Sequence, residues 1–227
     1  MIDDWSTYAV ADFIPFTAEV YFRLIERIGE RFWPLHLPAV AVGGAIVWLG
    51  RTGRTGIACV LLAAVLAWVA VNFHIREYAE LNWAGIWAGY AFLATAGLLV
   101  LFALLPPARQ RTASAGSIRP AIGLLLAAVG LFGYPLIAPL SGHGWMRAET
   151  FGIHADPTAV VALGCALILL RGLRLWLVAI VPLLWCMISA LTLHTLEAAW
   201  AWVLVAAIAL AGAGLIIGSL PRRHTAR

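Results

Sequence analysis

The chain has no lysine; all 15 of its basic residues are arginine. That absence excludes a substrate Schiff base, a phosphate-gripping Walker lysine and a lysine general base. It also excludes a seven-helix retinal protein, whose chromophore is held by a lysine. Charge is scarce as well, at 11% of 227 residues, where a soluble domain carries roughly a quarter. The three cysteines, Cys59, Cys165 and Cys186, sit in apolar runs with no CxxC among them. They read as small buried hydrophobes without a disulfide framework. The longest less apolar stretch is the first 34 residues, too short for a soluble domain of ordinary size.

What is present is apolar. The sequence is 63% hydrophobic, with a mean hydropathy of +0.93 and a pI near 9.3. The basicity comes from loop arginines, and no basic cluster on a soluble element calls for a nucleic-acid partner. Long apolar runs separated by Arg-bearing gaps define an all-α, multi-pass membrane protein, with the lipid bilayer as its first partner. A span needs about 20 mostly apolar residues. Seven candidates emerge at 35–50, 57–73, 83–105, 120–140, 157–171, 175–193 and 198–220. The first and fifth are short and reach the interface if Arg51 and Arg171 snorkel.

The N-terminus lacks the basic region and compact apolar core of a signal peptide. Residues 17–33 read instead as an amphipathic interfacial helix. Val20, Leu24, Ile28 and Phe32 lie opposite Glu19, Arg23, Glu26, Arg27, Glu30 and Arg31. Sorting the loops by charge gives ten arginines and no acid on one side: Arg51, Arg54, Arg109, Arg111, Arg119, Arg171, Arg174, Arg222, Arg223 and Arg227. The other side holds five arginines and all eleven acids. The positive-inside rule then sets the N-terminus outside and the C-terminus in the cytoplasm of a bacterial inner membrane. Trp33, Trp83, Trp145 and Trp200 fall at the outer interface, and Trp48 and Trp176 at the inner one, as an aromatic belt requires.

A shift of 120 residues lays Arg51 and Arg54 on Arg171 and Arg174, His74 on His194, Glu77 on Glu197 and Gly44 on Gly164. After a three-residue gap Trp83 falls on Trp200. The expected organisation is therefore an N-terminal periplasmic segment (1–34), a three-helix repeat (35–105) and a cytoplasmic loop (106–119). A linker helix (120–140), a periplasmic loop (141–156), a second repeat (157–220) and a cytoplasmic tail (221–227) follow. One linker helix makes the repeats parallel. This 3+1+3 plan resembles the SWEET-type sugar transporters and their relatives. Pro38, Pro157 and Pro182 match part of their proline pattern, while span two has none.

A second resemblance rests on Trp33-Pro34, Tyr78-Ala79-Glu80-Leu81-Asn82-Trp83, Phe151-Gly152 and Asp156-Pro157-Thr158. These look like a family of bacterial multi-pass integral membrane proteins of unknown function, covering nearly the whole chain. That family often carries a proline-containing apolar pair where Glu80-Leu81 stands here, which argues against an essential role for Glu80.

The repeated HxxE supplies the candidate site: His74, Glu77, His194 and Glu197, with no catalytic residue assigned. Residues three apart on a helix share a face, and two imidazoles with two carboxylates suit a divalent metal or a proton gate. The competing reading is a solvated acidic outer surface. Haem between His74 and His194 has only their pairing behind it. A zinc hydrolase of the ceramidase type lacks its HxxxH. Asp156-Pro157 reads as N-cap and first residue of span five. Gly133-Tyr134-Pro135 and Pro139 signal a bend in span four. Gly85/Gly89 and Gly214/Gly218 are small-residue packing faces, the latter able to pair two copies. The function that best fits is a small-solute permease, more readily than an enzyme. A His/Glu metal-binding accessory protein or a structural subunit of a membrane complex is the alternative.

Overall fold

In a computed structural model, residues 13–105 and 118–219 are described, and among them every regular element is helical. The first twelve residues, most of loop 106–119 and the tail 221–227 lie outside this range. Helix α1 (Ala18–Arg31) opens where Thr17 accepts a hydrogen bond from the Val20 amide, with Glu19 in its first turn and Arg31 in its last. Both charges suit the helix dipole. Its buried stripe is Tyr21, Leu24, Ile25, Ile28 and Gly29, a spacing of three and four that defines one helical face. Sequence periodicity assigned Val20 to that face, but the observed stripe turns Val20 outward. The apolar face of α1 rests on the end of the helical bundle, so protein rather than lipid covers it.

Helix α2 (His36–Arg51) leaves α1 at an 89° bend. Then come α3 (Thr55–Leu81), α4 (Gly85–Leu104), α5 (Ile118–Leu140), α6 (Ala155–Leu169), α7 (Gly172–Thr195) and α8 (Ala201–Ser219). Five of these, α3, α4, α5, α7 and α8, are long and apolar enough to cross a membrane, and the α1–α2 pair taken as one span makes six. Helix α6 is apolar but shorter. Helix α3 runs eight residues past the expected 73 because a π segment, Ala70–Tyr78, continues it. A second π segment, Val129–Gly133, precedes Tyr134-Pro135 in α5, at the site where proline signalled a bend.

The shortest helix is the centre. Every residue of α6 from 155 to 167 is buried, and α2, α3, α5, α7 and α8 all pack against it. Arg119 caps its far end by donating to the Leu170 carbonyl at 2.5 Å. Gly123 of α5 and Gly164 of α6 cross with their backbones in contact. Gly89 packs on Ile75 and Gly214 on Leu167, so these small residues serve contacts within the chain.

The loops separate onto two ends. At one, α1 meets Glu77 through Arg27, Arg147 through Glu26, and Trp200 through Phe22. At the other, Arg119 reaches Leu170, Arg174 stacks over Phe102, and Trp176 donates to Ser219. The tight turns α2–α3 and α6–α7 both lie at this second end, and each carries a left-handed glycine, Gly53 (φ +83°) and Gly172 (φ +56°). A β-carbon strains that conformation.

Candidate functional site

The four residues of the repeated HxxE have four different surroundings. His74 is fully buried, with ring centroids of Trp185 and Phe92 at 4.4 and 4.6 Å, and both its nitrogens lack a partner. Glu77 is also buried but faces α1, where Arg27 (2.7 Å) and Arg31 hold its carboxylate. The π segment explains the divergence. Its hydrogen bonds span five residues rather than four, so a spacing of three falls further short of a full turn.

His194 and Glu197 are both exposed. The Glu197 amide bonds to the His194 carbonyl and the Ala198 amide to that of Leu193, the paired bonds of a Schellman helix stop. Glu197 holds its left-handed position at φ +57°. One glutamate thus lies within a helix and its repeat counterpart ends one. Among the described residues, no group of three or more His, Cys, Asp or Glu stands close enough to hold a metal ion. His74, Glu77, His194 and Glu197 are therefore not brought together.

The polar centre lies elsewhere. Helix α6 begins at Ala155, with His154 at the N-cap position and no side-chain cap. Asp156 therefore sits inside the first turn, and the expected capping role does not hold. Its carboxylate is turned between α5 and α7 because three donors converge there. Trp185 Nε1 donates to Oδ1 at 2.8 Å, while Ser189 Oγ and the Tyr134 hydroxyl donate to Oδ2 at 2.7 and 3.1 Å. The indole of Trp185 is in turn walled by Phe73, His74, Tyr78 and Phe92. Asp156 thus gathers three donors at the N-terminus of a fully surrounded helix.

Glu149 lies behind Tyr134. Both line a small cavity of about 20 Å³, together with Phe22, His143, Arg147 and Trp200. Glu149 is buried and its Oε2 has no hydrogen-bond partner. Burial first, and the Asp156 carboxyl second, hold the Glu149 carboxyl well above the usual carboxylate range.

His154 ties this centre to α1. Its Nδ1 accepts from the Thr150 amide at 3.1 Å, so the ring proton resides on Nε2, which donates to the Ile25 carbonyl at 3.2 Å. Burial, foremost, pushes the His154 pKa down to about 3. The unfolded ring protonates near 6.5, so the fold loses stability as pH falls from about 6.5 toward 3 and keeps it above. Glu149, raised rather than lowered, works in the opposite sense: its contribution is complete below about 4.5 and is lost as pH rises from there toward its folded value. The two oppose each other between about 4.5 and 6.5, so melting temperatures in detergent should decline in acid only below about 4.5, by the equivalent of about 2 kcal/mol. His154→Gln should remove that acid limb.

Sequence reasoning missed this centre because Asp-Pro at a helix start matches the ordinary cap signal. Trp185, Ser189 and Tyr134 are scattered through two other helices. The available signal was Asp156 itself, an acid abutting the shortest apolar segment.

The helical array, its apolar spans and a carboxylate buried within it define a multi-pass membrane protein with an internal polar centre. Residues 18–225 match the DUF6064 family of unknown function, and the chain belongs to that family. No curated protein and no solved structure matches it.

Proposed function

We propose that the chain is a small-solute permease of a bacterial inner membrane, with Asp156 as the group that recognises its solute. Seven spans, α2 to α8, run between an outer end bearing α1 and a cytoplasmic end bearing the arginine-only loops. The domain boundaries follow the two three-helix units, 35–105 and 157–220, with 120–140 between them. Support for the duplication comes from the two Arg-x-x-Arg turns, each beside a left-handed glycine at the same end of the bundle. The orientation rests on charge: among the described residues Arg51, Arg54, Arg119, Arg171 and Arg174 share the end that carries no acid.

The observation that carries the reading is Asp156, an acid enclosed by five helices and held by donors from two of them. Ionisable groups within a membrane bundle mark solute or ion sites by default. Helix termini facing a buried site are how several transporter folds hold polar cargo. Helix α1 covers the outer approach, pinned by Arg27 and Arg31 on Glu77 and by Glu26 on Arg147. The metal-accessory alternative has no comparable cluster behind it among the described residues.

The test is a thermal-shift screen of purified protein against sugars, amino acids, monocarboxylates and monovalent cations. Wild type is compared with Asp156→Asn. Asn preserves the fold, because Oδ1 still accepts from Trp185 while the Tyr134 and Ser189 hydroxyls rotate to accept from the amide. One solute class should stabilise wild type by about 2–3 kcal/mol at a hundredfold excess over its Kd. The same class should enter wild-type proteoliposomes, and Asp156→Asn should lose both responses. No response to any class, or a full response in Asp156→Asn, overturns the reading.

A further inference from the structure

We propose that Glu149 is a proton-binding carboxyl that exchanges with the outer solution through its small cavity and passes a proton to Asp156 by way of the Tyr134 hydroxyl. This goes beyond the solute reading and stands without it, because the proton site needs no transported solute.

Four geometric observations carry it. Glu149 is buried with one oxygen lacking any partner, an arrangement that costs several kcal/mol for a bare carboxylate but far less for a protonated one. The nearest candidate counter-charge is engaged elsewhere, since Arg147 pairs with Glu26 at 3.3 Å. Glu149 and Tyr134 line the same cavity, whose 20 Å³ exceeds the 10–15 Å³ or so that one water requires. The Tyr134 hydroxyl then donates to Asp156 Oδ2 at 3.1 Å. One residue therefore borders both carboxyls.

The step balances without any redox partner. The Glu149 O–H gives its proton to a water in the cavity, and that water protonates Tyr134 Oη. Tyr134 simultaneously releases its own proton along the existing bond to Asp156 Oδ2. Glu149 is left as carboxylate, Tyr134 is unchanged and Asp156 is protonated. The groups around the pair are His143 and Arg147 from the loop, Tyr21 from α1, Tyr78 from α3, Tyr134 from α5 and Cys186 from α7. None is a free cation against Glu149. The raised proton affinity of Glu149 agrees with the geometry.

Infrared difference spectroscopy of the full chain in lipid tests this directly. At about pH 7, wild type should show the C=O stretch of one protonated carboxyl, exchanging readily with D2O. Glu149→Gln should abolish that band, and Glu149→Asp, which retains a carboxyl, should restore it at a shifted frequency. On an acid jump, a second carboxyl band assigned by its loss in Asp156→Asn should grow at least tenfold more slowly in Tyr134→Phe. The proposal is overturned if Glu149→Gln keeps the neutral-pH band, if Glu149→Asp fails to restore it, or if Tyr134→Phe protonates Asp156 at the wild-type rate. None of these readings depends on a solute, so each leaves the permease proposal to its own screen.

Discussion

Asp156→Ala is expected to destabilise the protein by about 2–6 kcal/mol, far more than removal of any of its partners. The alanine leaves three buried donors, Trp185 Nε1, Ser189 Oγ and the Tyr134 hydroxyl, with no acceptor. Each orphaned donor costs about 1–3 kcal/mol in a protein interior. A single interhelical hydrogen bond in a membrane protein averages only about 0.6 kcal/mol. Tyr134→Phe and Ser189→Ala should therefore each cost less than about 1 kcal/mol, because the carboxylate keeps two other donors. The effects should not add, since all three bonds end on one group. Thermal or denaturant unfolding in detergent reads the whole series. If Asp156→Ala falls no further than Tyr134→Phe, the carboxylate is not what joins α5, α6 and α7.

The second large effect is expected at the crossing of α5 and α6. A β-carbon on Gly164 would lie 2.5 Å from the Gly123 carbonyl oxygen and 2.8 Å from the Ala127 amide nitrogen. The reciprocal β-carbon on Gly123 would lie 2.6 Å from the Gly164 carbonyl oxygen. These obstacles are backbone atoms, which cannot rotate away as a side-chain tip does. Gly164→Val must push α5 outward, and Tyr134 leaves Asp156 with it. Overpacking of this kind costs about 1–3 kcal/mol where neighbours adjust. Here we expect at least about 3 kcal/mol and loss of monodisperse protein in size-exclusion chromatography. Gly44, which the 120-residue shift pairs with Gly164, meets nothing within 4 Å. Gly44→Ala should gain about 0.5–1 kcal/mol from helix propensity. Equal losses at both positions would sink this account.

That contrast shows where sequence was readable and where it was not. Hydropathy located the apolar segments, and the single amphipathic stretch correctly identified α1, since one-dimensional spacing is all those features need. The same periodicity misassigned Val20, because stripes drawn every four residues drift from the 3.6-residue turn that selects Tyr21 and Ile25. The identical HxxE motifs diverged because local backbone geometry differs. One runs through a π segment and the other meets a helix stop, neither of which spacing encodes. The Asp156 centre depends on three residues from two helices, contacts that no local pattern reports. The Gly123–Gly164 crossing was hidden for a similar reason, since the two glycines lie in different spans and Gly164 has no small residue four positions away.

The enclosure of α6 also bears on how the chain is made. At 15 residues the helix is roughly 22 Å long, short of the roughly 30 Å hydrocarbon thickness. Non-helical backbone at 148–154, buried inside the protein, extends it toward the end that bears α1, which is allowed where lipid does not reach. Its wrapping partners come from both sides in sequence: α2, α3 and α5 are synthesised before it, α7 and α8 after. A ribosome that has finished α6 has produced a segment with half its wall still missing. We therefore expect the membrane-inserted intermediate to stay open, and exposed to membrane chaperones and proteases, until α8 emerges.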